Sequence, residues 1–275
     1  MATLFTKQPM ALQTAFAELK RQSLEQGVLL VGTPGSVVLR TNAGRRFLYR
    51  DYYGPAGKKA GDYIGPQEDP AARSAADEVR ERIALANGLL GEAALLVQHG
   101  YVRVEARTNA ILAALANNGV FRAGALLVGS HAYGALLNEL GARAAATGTE
   151  DVDVARGRRL SLSAGAKSFE EMLRDSRVPL FPVPQLDRKM PPTSFKPPGR
   201  DRLRVDLLMP TDGEGVRTLF APELDAHATG LPWLRYITDE SRPGLVIGRS
   251  AMVPVNLPRP ERLALHKMLV SQIRH

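Results

Sequence analysis

The spacing of hydrophobic positions changes along the chain, and each change marks a new element. From Met10 to Gln26, Leu12, Phe16, Leu19 and Leu24 recur at near-helical intervals, and Gly27 ends the run. This pattern predicts a helix. Ser36–Leu39 and Arg45–Tyr49 are short β-prone runs around Thr41-Asn42-Ala43-Gly44, which reads as a hairpin connection. Tyr49, Tyr52, Tyr53 and Tyr63 place four of the seven tyrosines in this small β-rich segment, which closes at Gly65-Pro66. Asp69-Pro70 reads as a helix start with proline in the first turn. An Ala-rich helical stretch runs on to about Gln98, with Gly88 and Gly91 as expected kinks. A further helix over Val102–Asn117 stops at Asn118-Gly119.

From Gly124 the pattern becomes strand, helix, strand. Ala125–Val128 is a continuous apolar run of the kind found in a buried strand, and it turns at Gly129-Ser130 into a helix over His131–Leu140. Thr149–Ala155 alternates as a strand, Leu203–Met209 reads as another, and Pro258–Arg274 as a final amphipathic helix. Leu263, Met268, Leu269 and Ile273 form its expected buried stripe. No internal repeat is present. The chain divides into an accessory helix and β-hairpin region (1–68), a helical connector (69–119) and an α/β catalytic-looking region (120–275).

Composition narrows the class. With 275 residues, 44% hydrophobic and 23% charged, the chain fits one large domain or two modest ones and excludes global disorder. The absence of cysteine excludes disulfide scaffolds, Cys-ligated zinc, iron–sulfur clusters and thiol catalysis. Met1–Lys20 lacks the basic and apolar regions of a signal peptide, and runs such as Gly124–Val128 are too short to span a bilayer. The expectation is a cytoplasmic protein with no membrane partner. The net charge is +8, and 28 of the 36 basic residues are Arg, the side chain suited to bidentate phosphate contacts. A genome rich in G and C produces the same Arg bias, so the position of the charge matters more than its sum.

Candidate chemistry lies in three places. Leu127-Val128-Gly129-Ser130 passes from a buried strand into a helix. There glycine permits close backbone approach, and the free N–H groups of the helix start can cradle a phosphate. The same text also reads as a plain turn with Ser130 as helix cap. In Glu150-Asp151-Val152-Asp153-Val154, residues two apart share a side, so Asp151 and Asp153 project together. Two such carboxylates repel unless a cation sits between them, and hard oxygen ligands select Mg²⁺ or Mn²⁺. A solvated strand edge is the plainer reading. Asp206 is a lone carboxylate in the apolar strand Arg204–Met209, either salt-bridged to Arg204 or available as a third ligand. Three carboxylates can hold two metals.

Taken in order, Val128-Gly129-Ser130, Glu150-Asp151-Val152-Asp153-Val154 and Val205-Asp206-Leu207 resemble the DNA polymerase β-type nucleotidyltransferase superfamily. More narrowly, residues 120–275 look like bacterial nucleotidyltransferase-fold proteins related to AbiEii-type toxins. The resemblance implies an α/β (α+β) nucleotidyltransferase-type mixed sheet flanked by helices, here preceded by the β-hairpin and helical accessory region. It implies a metal-dependent transferase of phosphorus-containing groups that moves an NMP from an NTP to an acceptor hydroxyl. By position, Gly129 and Ser130 would bind the NTP phosphates, Asp151 and Asp153 would ligate the Mg²⁺ or Mn²⁺ pair, and Asp206 would hold the catalytic metal and help deprotonate the hydroxyl. RNA, with tRNA among the options, stands ahead of protein as acceptor. A toxin or phage-defence setting with a cognate antitoxin follows by analogy. A non-catalytic nucleic-acid-binding or interaction module that retains the fold is the rival class. His131-Ala132-Tyr133-Gly134 and the 53-position gap from Asp153 to Asp206 depart from the common pattern, and the chain ends at His275 where more helix is expected.

Supporting groups follow. By the same resemblance His266, Lys267 and Arg274 on the final helix would face a triphosphate, Lys267 foremost, the plainer reading being a solvated lysine. Tyr133 either stacks on a base or packs, and Trp233 reads as a packing anchor. His99, His227 and His275 have no partner at metal-ligand spacing. Arg156–Arg204 holds 12 Lys and Arg against 5 Asp and Glu, a net +7. Pro191-Pro192 and Pro197-Pro198 predict an extended loop there. The expectation is a cationic rim close to the metal site that guides a polyanion, the alternative being a merely solvated loop.

Overall fold

The computed structural model describes residues 5–144, 150–213 and 215–273, the side chain of Ile273 excepted. The chain begins with β1 (Thr6–Lys7) and α1 (Met10–Leu24), followed by an antiparallel sheet of β2 (Ser36–Asn42), β3 (Arg45–Tyr53) and β4 (Lys59–Pro66). The predicted hairpin therefore extends to three strands. Helix α2 (Pro70–Gln98) follows, begun by Asp69 accepting from the Ala71 amide at 2.9 Å, and it continues through Gly88 and Gly91 without a break. Helix α3 (Ala106–Asn117) starts four residues later than the periodicity predicts. The preceding backbone is extended, because the Val104 amide donates to the Ile247 carbonyl at 2.9 Å.

The remaining elements are β5 (Leu126–Val128), α4 (Gly129–Glu139), β6 (Ala142–Arg143), β7 (Asp151–Ala155), α5 (Phe169–Arg174), β8 (Phe181–Pro182), β9 (Ser194–Lys196), β10 (Arg204–Pro210), β11 (Arg217–Ala221), β12 (Ala226–Leu231), α6 (Leu234–Thr238), β13 (Ser241–Ile247), β14 (Met252–Pro258) and α7 (Pro260–Ile273). The central sheet runs β11-β12-β10-β7-β5, with β9 beside the first half of β10 and β8 beside β9. It is mixed: β7, β10 and β12 are parallel, while β5, β9 and β11 run against their neighbours. The α+β class expected from the sequence is the class observed. Among the described residues, no helix is long and apolar enough to cross a membrane.

The alternation in each strand divides the core. Leu127, Val152, Val154, Val205 and Leu207 point to one face, where Ile111, Leu112 and Leu115 of α3 and Phe169, Met172 and Leu173 of α5 cover them. The α3 side chains, grouped by pattern with the connector, thus belong to the same core as the central strands. Leu126, Val128, Ala155 and Leu208 point to the other face, against Leu234 and Ile237 of α6. That second face also carries the acidic side chains.

Two expectations are corrected here. The Pro-rich stretch is not simply extended: it contains α5, with a reciprocal capping box between Ser168 and Glu171, and the β8–β9 pair. On α7, Leu263 is buried, but Met268 and Leu269 are 66% and 41% exposed, so the expected stripe covers only the first turn. Past that point, nothing among the described residues covers them. Ile273's side chain, Arg274 and His275 lie outside the described residues, as does Thr149.

Candidate active site

The site begins with register. Val128 of β5 pairs with Asp153 of β7, Asp153 with Asp206 of β10, and Asp206 with Ser194 of β9. Two residues back along both strands, Arg204 is opposite Asp151. Adjacent strands are about 4.8 Å apart. Because side chains two apart share a face, Asp151, Asp153, Arg204 and Asp206 all stand on the α6 side of the sheet. Val152, Val154, Val205 and Leu207 alternate into the core and fix this orientation, since a one-residue slip would bury the acids.

Asp153 is the most constrained of the three carboxylates. Burial pushes its carboxyl up to about 6, and the charges of Asp206 and Asp151 add to the rise, against the pull of Lys267 and Arg204. Negative charge is therefore concentrated at this point faster than the protein's own cations neutralise it. Asp206 is partly compensated: its Oδ1 accepts from Arg204 Nε at 2.8 Å, and Arg204 Nη2 donates to Ser194 Oγ at 2.7 Å. Asp206 is thus salt-bridged to Arg204, one of its two sequence readings, and it shares a face with Asp151 and Asp153.

Gly129 sits where β5 becomes α4, at φ +67°. A Cβ there would lie 2.0 Å from Asp153 Oδ2, so no other residue fits without displacing the carboxylate. The helix starts at Gly129, with Val128 as its cap residue, and no side chain among the described residues caps it. Ser130 is thus inside the first turn and not a cap. The uncapped N–H groups of this turn face the end of β5 beside Asp153, where an anion is favoured by the helix dipole. His131 follows; burial holds its imidazole down to about 4, and its Nε2 has no hydrogen-bond partner among the described residues.

Helix α7 closes the near side. Lys267 Nζ lies 5.9 Å from the centroid of the Tyr133 ring, and its charge reaches Asp153. His266 is held below its usual range by burial and by Lys267. Trp233, expected as a packing anchor, is 53% exposed beyond the far ends of β10 and β12.

The sequence reading missed the role of Arg107, at the start of α3. It pairs with Asp201, just ahead of β10, and at 3.5 Å with Glu150, just ahead of β7. One guanidinium therefore ties together the approaches to both acidic strands. Its only sequence signal is an Arg at a helix N-terminus, where the dipole disfavours a cation.

The cationic stretch 156–204 is only partly near the acids. Strands β7 and β10 are parallel, so the connection leaves β7 at the end remote from them and crosses the α5 face before it returns. Arg156 is held by Glu223 at 2.6 Å, Lys167 by Asp175, Arg174 by Glu170 and Arg177 by Asp62. Lys196, Arg200, Arg202 and Arg204 are the members that arrive at the acidic end. The expectation that all these charges rim the site is corrected to this subset.

The donor set fits a hard divalent cation in part. Asp151 and Asp153 offer oxygens from one face, with Asp153 raised mainly by burial and further by the two neighbouring carboxylates. Among the described residues no three acidic or His side chains close around one point. Asp206 stands in the neighbouring strand with its Oδ1 engaged by Arg204.

A family model described as Nucleotidyltransferase matches residues 106–275, well over half of the chain. No curated protein and no solved structure matches.

Proposed function

Given that the chain belongs to this nucleotidyltransferase family, whose general reaction is nucleotidyl transfer from an NTP, we propose that Asp151, Asp153 and Asp206 form its catalytic row and that the acceptor is an RNA hydroxyl. The observation that supports this most is the cross-strand register Asp153–Asp206 together with Gly129 held against the Asp153 carboxylate. In this reading Gly129 and Ser130 bind the triphosphate through the open N–H groups of α4, and Lys267 neutralises it from α7. The acceptor oxygen attacks the α-phosphorus, the α–β phosphoanhydride bond breaks and pyrophosphate leaves. Asp206 receives the hydroxyl proton at Oδ2, its Oδ1 being occupied by Arg204. Asp151 and Asp153 are the ligands for Mg²⁺ or Mn²⁺, which when bound supplies charge neutralisation at the phosphates. Positioning and electrostatic stabilisation carry this kind of chemistry.

Protein is the second acceptor class, and the resemblance to AbiEii-type toxins supports a toxin or phage-defence setting with an antitoxin partner. The test is incubation with each α-labelled NTP, Mg²⁺ or Mn²⁺, and total RNA or protein extract, beside Asp151→Ala/Asp153→Ala. Transfer to RNA that disappears in the double variant is the expected result. Equal labelling by both proteins would overturn the assignment of the carboxylates. No labelling at all, with salt-sensitive RNA binding, would favour a non-catalytic binding module.

A further inference from the structure

The three-stranded sheet β2-β3-β4 has two unlike faces. Leu48, with Val37 and Ile64, turns inward and packs on Ala72 and Ala76 of α2. The outward face carries Arg40, Phe47, Tyr49, Asp51, Tyr53, Lys59 and Tyr63, as the register dictates: Tyr49 is opposite both Val38 and Tyr63, Arg40 opposite Phe47, and Tyr53 opposite Lys59. The rings form a contiguous group, with centroids 5.3 Å apart for Tyr49 and Tyr63 and 6.0 Å apart for Phe47 and Tyr63. The Arg40 guanidinium lies 4.6 Å from the Tyr49 centroid. Tyr53 and Tyr63 are each 56% exposed.

The charge on this sheet is one-sided. Ser36–Pro66 holds six Lys and Arg against Asp51 and Asp62. Both acids are already paired, Asp51 with Arg40 and Asp62 with Arg50 and Arg177. Among the described residues Arg45, Arg46, Lys58 and Lys59 enter no ion pair, so the unneutralised charge is all positive. The platform is also stiff. Buried Arg50 donates to the carbonyls of Val31, Thr33 and Pro34, stapling the incoming segment to β3.

We propose that this outward face is a stacking platform for single-stranded nucleic acid and holds the body of the acceptor. The proposal rests on the reading of RNA as acceptor. Exposed aromatic rings on a rigid sheet, flanked by unpaired cations, match the two things a single strand presents, π-faces and phosphates. An acidic peptide would use the cations and leave the rings idle. The sheet docks through Arg177 near α5, the side of the central sheet opposite the acids. It therefore grips a long polynucleotide away from its reacting end.

The experiment is fluorescence anisotropy with a fluorescein-labelled mixed-sequence oligoribonucleotide of about 20 nucleotides, its DNA counterpart and its duplex. Polyphosphate and polyglutamate serve as competitors. Tyr49→Ala/Tyr63→Ala should weaken single-strand binding about tenfold or more, whereas Tyr49→Phe/Tyr63→Phe should stay within about twofold. Arg45→Gln/Lys59→Gln should lower the slope of log affinity against log salt by about 1.4. The ribo- and deoxyribo-strands both support the platform, and a preference between them identifies the source of the strand. Unchanged binding by a Tyr49→Ala/Tyr63→Ala protein of native circular dichroism and Tm would overturn the proposal. So would equal affinity for the duplex, or competition by polyphosphate or polyglutamate as strong as by RNA. Asp151→Ala/Asp153→Ala should bind RNA normally while losing label transfer. Tyrosine-dependent binding without any transfer would thus sink the catalytic reading alone, and transfer with tyrosine-independent binding would sink the platform alone.

Discussion

Gly129 and Asp153 form a coupled pair, because the glycine's missing side chain is the space the carboxylate occupies. Gly129→Ala introduces a 2.0 Å contact at a positive φ, and strain of this kind costs about 1–3 kcal/mol. We expect a lower denaturant midpoint and label transfer reduced at least about a hundredfold, since Asp153 must rotate out of the row. Asp153 also sets a pH signature. Its folded-state carboxyl, at about 6, is above the ordinary carboxylate value. The folded state therefore holds this proton more tightly than the unfolded chain. The associated stability is fully present below about pH 4 and is lost as pH rises through 6. Above that pH the charged Asp153 destabilises the metal-free protein, and a cation bound by it would remove the penalty. The rise in Tm caused by Mn²⁺ should accordingly be small at pH 5, large at pH 7.5, and absent at both in Asp153→Asn. A pH-independent Tm gain would argue that the ion binds elsewhere.

At the scale of elements, the β13–β14 hairpin shows where periodicity stops being informative. Leu245–Ile247 and Met252–Val255 are short apolar runs that fit a strand or a buried helix equally. Their pairing is settled by a distant residue: fully buried Asn109 of α3 accepts from the Ser250 and Ala251 amides at 3.0 and 2.9 Å and donates to the Ala251 carbonyl at 2.9 Å. No local signal in Gly248-Arg249-Ser250 announces that contact. Asn109→Ala strands several buried polar groups of the turn, so it should cost about 2–4 kcal/mol, read as a fall in the denaturant midpoint. A conservative Asn109→Asp at pH 7 should not rescue it, because the carboxylate cannot donate to Ala251. The acidic strands were legible for the opposite reason. Alternation is clean in Asp151–Val154 and Arg204–Leu207, and burying Val152, Val154, Val205 and Leu207 puts Asp153 and Asp206 on the same opposite face. Arg107 was not legible, since its partners Glu150 and Asp201 are remote in sequence. Arg107→Gln should leave the fold intact and lower kcat more than it raises the KM for NTP, because it loosens the alignment of β7 with β10 while removing no group assigned to the triphosphate.

For the whole molecule, net charge becomes informative only after topology divides it. The stretch 156–204 accounts for most of the +8 excess, yet the parallel pairing of β7 with β10 sends its two ends to opposite ends of the sheet. Arg158 and Arg159 are exposed beyond the end of β7 remote from the acids, whereas Arg200 and Arg202 are exposed beside the start of β10. Screening at physiological ionic strength has a length of about 8 Å, so the pair at the acidic end of the sheet should act more strongly on a triphosphate held at Asp153 than the pair at the remote end. Two surface charges at that range contribute on the order of 1 kcal/mol together, which corresponds to a few-fold change. Arg200→Gln/Arg202→Gln should therefore raise the KM for NTP about three- to tenfold at low salt, with the difference shrinking as salt is added. Arg158→Gln/Arg159→Gln removes the same charge from the same stretch and should leave that KM within about twofold. Steady-state kinetics of both variants across a salt series separates a local field from a global one. Equal effects would mean that the molecule's overall charge, and not the topology of its crossover, governs how it meets a polyanion.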